Sequence, residues 1–184
     1  MKNRPLALVV IDYVTTVCIA VAVPFAALLS LEAAAQQASP TASGVPAGTG
    51  AGVHSPNSPF APLQARSDVV SWSVLTDVKT KVETNRMLPV FSAPVLALNQ
   101  KNQRVQGFMM PLEPGEKQKH FLLSSVPVTC AFCVPGGPES MVEVKTKTPI
   151  RYSLEAVVVE GQFAVLKDDP YGLYYRIDDA TAVK

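Results

Sequence analysis

Alternation of apolar and polar residues with a period of two constrains this chain more than any other feature. It is cleanest at Met141-Val142-Glu143-Val144-Lys145-Thr146, where Val142 and Val144 are predicted to face a core while Met141, Glu143 and Lys145 face out. The pattern recurs through the second half of the chain. Val95-Leu96-Ala97-Leu98, the polar turn Asn99-Gln100-Lys101-Asn102 and Arg104 to Met110 read as a β-hairpin. Lys119 to Ser124 is a further strand, Ala156 to Leu166 another, and Leu173 to Ile177 a last short one. Gly161, central in its strand, predicts a bulge or sharp bend. Five or six short strands in about ninety residues predict a small, mainly β, closed or nearly closed barrel.

One short helix is predicted ahead of the strands. Val70, Val74, Leu75, Val78 and Val82 recur at near-helical spacing between Ser67 and Val82, with Asp68 early and Lys79 and Lys81 late. Trp72, the only tryptophan, is read as a ring covering the edge of the core.

The first third has a different character. Met1-Lys2-Asn3-Arg4, an apolar run from Pro5 to Leu31 and Ala33-Ala34-Ala35 have the order of a secretory signal peptide over 1–35, with cleavage after Ala35. Val14 to Leu31 is also about 18 residues long, the lower edge for a membrane-spanning helix, so a retained anchor is the alternative. Residues 36–66 are rich in Ala, Ser, Pro, Gly and Thr and read as a disordered linker, which leaves 67–184 as the folded domain. The expected location is the periplasm, with inner-membrane anchoring only if the segment is uncleaved. His54, in the linker, is read as solvated.

Export sets the cysteine count. The chain has three cysteines, and Cys18 lies inside the signal, so Cys130 and Cys133 remain. They form a CxxC pair followed by Val134-Pro135-Gly136-Gly137-Pro138. Two thiolates at this spacing supply half a tetrahedral zinc shell or a two-coordinate copper site, with His120 and Met141 as added ligands and Met109, Met110 and Glu139 as further candidates. The same pair in an oxidising compartment forms a structural or redox-regulated disulfide. Both readings stay open at this stage. Thiol-disulfide catalysis is disfavoured, because the prolines and glycines after Cys133 preclude the helix N-terminus that activates such thiols. No catalytic residue is assigned: G-x-S-x-G, H-E-x-x-H and a phosphate-cradling glycine loop do not occur. Sixteen Lys and Arg against fifteen Asp and Glu give a net charge of +1, which argues against nucleic-acid binding.

The order of Trp72-Ser73-Val74-Leu75, Pro89-Val90-Phe91, Val105 to Leu112, Phe121-Leu122-Leu123, Cys130-Ala131-Phe132-Cys133, Pro135 to Glu139 and Val159-Glu160-Gly161 resembles the exported bacterial proteins grouped as domain of unknown function 3299. The resemblance spans Ser67 to the C-terminus. It implies an OB-like barrel, export, no assigned enzymatic activity and a recurrent cysteine pair before the Val-Glu-Val strand. Some relatives occur in metal-uptake or metal-export settings. The expected function is therefore an exported, non-enzymatic accessory or binding protein, in envelope metal handling or as a protein-interaction module. Its expected partner is an envelope protein or metal-transport component.

Overall fold

The computed structural model describes residues 50–84 and 86–183. The segment read as a signal peptide or anchor, Cys18 and the part of the expected linker as far as residue 49 lie outside them. Among the described residues no helix is long and apolar enough to cross a membrane.

Among the described residues, seven strands and two single-turn helices follow in order: α1 (Trp72–Leu75), β1 (Val78–Glu83), β2 (Arg86–Phe91), α2 (Ala93–Leu96), β3 (Lys101–Pro111), β4 (Lys117–Ser124), β5 (Met141–Arg151), β6 (Val157–Val165) and β7 (Tyr175–Val183). A 3₁₀ turn at Pro138–Ser140 leads into β5. Strands β3 to β7 close a barrel, as the period-two pattern predicts, and their order in it is β3-β4-β5-β7-β6. All its pairs are antiparallel except β5 with β7. A five-stranded closed barrel with this mixed pairing is OB-like.

The core follows the alternation. Val105, Phe121, Leu123, Val142, Val144, Val159, Phe163, Tyr175 and Ile177 are all at 0 % exposure inside the barrel. Leu75 of α1 and Val95 of α2 join the same cluster, and the Tyr175 hydroxyl donates to the Leu75 carbonyl. Trp72 packs on that cluster and donates from Nε1 to the Gln106 carbonyl at 2.9 Å, in keeping with a ring at the core edge.

Three local expectations are corrected. The helix predicted over Ser67 to Val82 is one turn long, capped by Ser71, and Val78–Glu83 is instead a strand paired with Arg86–Phe91. Its Val-Lys-Thr-Lys-Val order also has a period of two, and β-branched residues favour the extended form. Val95 to Leu98 is not a hairpin strand. Pro94 in the first turn of α2 fixes a helical φ there, and β3 pairs with β4 and β6 instead. The last strand is longer than expected, because Asp178 and Asp179 do not end it. Asp179, with φ of 55°, forms part of an irregularity opposite Gly161, and pairing with β6 resumes at Thr181. The bend predicted at Gly161 is present. The β6–β7 register shifts between Glu160 and Gln162, and a Cβ on Gly161 would lie 2.6 Å from the Asp178 carbonyl oxygen.

Candidate functional site

The loop between β4 and β5 carries the cysteine pair. Cys130 and Cys133 are joined as a disulfide with their Cα atoms 5.4 Å apart, inside the usual range for such a bond. The turn they close has one backbone hydrogen bond of its own, Cys133 N–H to the Cys130 carbonyl at 3.2 Å. Cys130 is buried and Cys133 half-buried, while Ala131 and Phe132 between them are exposed, Phe132 at 63 %. The base of the loop is fixed to the barrel by Ser125 N–H to the Ser140 carbonyl and by Ser140 Oγ to the Gly137 carbonyl at 2.8 Å.

Residues 50–53, within the segment read as linker, lie against this loop. Val53 and Val134 exchange both backbone hydrogen bonds, at 2.8 and 2.9 Å. Ser125 Oγ donates to the Ala51 carbonyl, and Gly50 N–H to the Glu139 carboxylate. Two glycines allow the close approach: a Cβ on Gly52 would lie 2.7 Å from the Val134 oxygen, and one on Gly136 would lie 2.0 Å from the Gly50 oxygen. Gly52 also has φ of 73°, a conformation other residues rarely adopt. Four hydrogen bonds at a net of about 0.5 to 1.5 kcal/mol each roughly offset the ordering of four residues at about 1 to 2 kcal/mol each. His54, expected to be solvated, has its Nε2 buried without a hydrogen-bond partner among the described residues.

On the outer face of the barrel, β4, β5 and β7 bring together a second cluster that the sequence pattern did not reveal. Glu143 points away from the core as predicted, yet its side chain is only 7 % exposed. One carboxylate oxygen accepts from His120 Nε2 at 2.7 Å and lies 3.7 Å from Lys145 Nζ, and the other accepts from Arg176 Nε. Burial pushes the Glu143 carboxyl up, but hydrogen bonds from Arg176 and His120 and the charges of Arg176 and Lys145 outweigh it and hold the group below its ordinary range. Arg176 reaches on to Asp169 at 3.5 Å, and Asp169 accepts from the backbone N–H groups of Tyr171 and Leu173. The chain of contacts thus fixes the β6–β7 loop over the sheet. Leu112, His120, Leu122, Glu143, Tyr171 and Leu173 enclose a cleft of about 390 Å³ there. Legible in advance were the strand position of His120 and the outward side of Glu143 and Lys145, but not that they meet.

Cys130 and Cys133 are bonded to each other, His120 is engaged by Glu143, and Met141 begins β5 opposite Ser124. Among the described residues no group of three or more His, Cys, Asp and Glu side chains is placed to hold a metal ion.

Fold and loop together define an OB-like barrel with a disulfide-closed β4–β5 loop. The family model described as protein of unknown function (DUF3299) matches residues 59–173, and the chain belongs to that family. A solved DUF3299 family protein from Pseudomonas aeruginosa PAO1 is similar to it at 27 % identity, with a TM-score of 0.39, over 48 % of this chain. The matched region spans 64 % of that protein's length. No curated protein matches the chain.

Proposed function

We propose that this is an exported, non-enzymatic binding module of the cell envelope whose CxxC is a disulfide rather than a metal-thiolate pair. The observation that carries the reading is the bond between Cys130 and Cys133. A sulfur committed to a disulfide is not a thiolate, and a soft ion needs the thiolate. The OB-like class adds support for binding. Barrels of this class receive ligands on the face of their second and third strands, between the loops that join strands one to two and four to five. Here those strands are β4 and β5, and the cleft beside Glu143 lies on them.

The test is the thiol state of protein recovered from the envelope, quenched with acid and then alkylated in denaturant without reductant. Intact mass should show no alkylated cysteine at positions 130 and 133; two alkylated thiols there would overturn the reading. Elemental analysis of the reduced protein beside the C130S/C133S variant separates it from the metal reading. Zinc or copper that disappears with the cysteines would favour an accessory role in envelope metal handling.

A further inference from the structure

We infer that the Cys130–Cys133 bond is a latch on the segment entering the barrel, and that the partner which opens it is a dithiol oxidoreductase. The inference rests on the disulfide reading above and adds what the bond controls and what acts on it. Val134, the residue after Cys133, is the one that pairs with Val53, so the exit direction of the bonded turn sets the position of the bridge. Without the bond, one backbone hydrogen bond between Cys130 and Cys133 is left to hold that turn. The barrel does not depend on it, since its five strands pair with one another and neither Cys133 nor Cys130, although Cys130 is buried, belongs to the core cluster. Opening the bond therefore releases Gly50 to Val53 and spares the barrel. The released residues add about 13 Å of reach to the segment, at the extended rise per residue.

The surface around the bond fits such a partner. Phe132, Val134 and Val53 are 63 %, 38 % and 53 % exposed, forming an apolar knob with the disulfide at its base. A protein with a dithiol beside an apolar groove is complementary to it. The partner's thiolate attacks Sγ of Cys133, the less buried of the two cysteines. The Cys130–Cys133 bond breaks, and its electron pair leaves on Cys130 Sγ, which takes up a proton. The partner's second thiolate then attacks the mixed disulfide and expels Cys133, which is protonated in turn. Two electrons and two protons pass to this chain, and the partner is left as a disulfide.

Amide hydrogen exchange on the full chain tests the latch. The chain is compared as a disulfide, oxidised in vitro if necessary, and after phosphine reduction, with both states verified by mass. This comparison is informative even if envelope protein proves to carry free thiols, so the two readings fail separately. Exchange at Val53 and Val134 should accelerate at least tenfold on reduction, while amides of β3 to β7 stay unchanged. Unchanged protection at Val53 in the verified dithiol would overturn the latch. Gly52→Val, which undocks the segment with the bond intact, should reproduce the fast exchange at Val53; protection retained in that variant would overturn the assigned contact. Reduction by thioredoxin should slow several-fold in Phe132→Ser, and equal rates would overturn the partner assignment.

Discussion

Burial of the Glu143 carboxylate on the outer face of β5 makes it an acid-sensitive point of the barrel. Its folded pKa is depressed, so its contribution is present above the ordinary value of 4.5 and is lost as pH falls through the folded value. The urea midpoint of the protein should fall on acidification below about pH 4.5. Part of that fall should be missing in Glu143→Gln, which cannot titrate; an identical acid limb in the variant would contradict the assignment. Arg176→Ala removes the donor that Glu143 shares with Asp169 and leaves a buried carboxylate partly uncompensated. It should cost about 3 kcal/mol in equilibrium unfolding. A loss within about 0.5 kcal/mol, the range of an ordinary surface change, would show that His120 and Lys145 suffice. The alternation correctly sends Glu143 outward. It carries no information about the β6–β7 loop that covers it, because that loop arrives from some thirty residues along the chain.

Local chemistry decides the elements where only one pattern fits, and context decides them where two do. β5 was legible because Val142 and Val144 fit a strand and no helix. The segment from Val70 to Val82 satisfies a helical spacing and, over Val78–Glu83, an alternation as well. Its pairing with Arg86–Phe91 selects the strand. Phe91 of that partner packs edge-on against Tyr174, with centroids 5.9 Å apart, which anchors the hairpin to the barrel. Gly161 is the element-level feature the sequence marks best, since only a residue without Cβ fits beneath the Asp178 carbonyl. Gly161→Ala should destabilise by about 1 to 3 kcal/mol through overpacking. Thermal unfolding at neutral pH checks this, and a melting temperature equal to the wild type would mean that the β7 irregularity can absorb a methyl group.

For the molecule as a whole, the disulfide and the barrel are separable. Closing a ring across three bonds of sequence removes little unfolded-state entropy, about 2 kcal/mol on the loop-closure relation. The C130S/C133S variant should therefore retain the barrel's circular dichroism and lose no more than about that amount in a denaturant titration. Collapse of the fold would mean that the loop stabilises the core directly. The sequence by itself determined the mainly β class, the inward residues Val142 and Val144 of β5, the bend at Gly161 and the proximity of two sulfurs. Each of these follows from spacing within a few residues. Only the tertiary structure decided that the sulfurs meet at disulfide distance, that residues 50–53 dock on their loop, and that Glu143 is roofed by the loop Asp169 organises. Those outcomes depend on segments distant in sequence meeting across the barrel, and no period within a single segment encodes which partner it will meet.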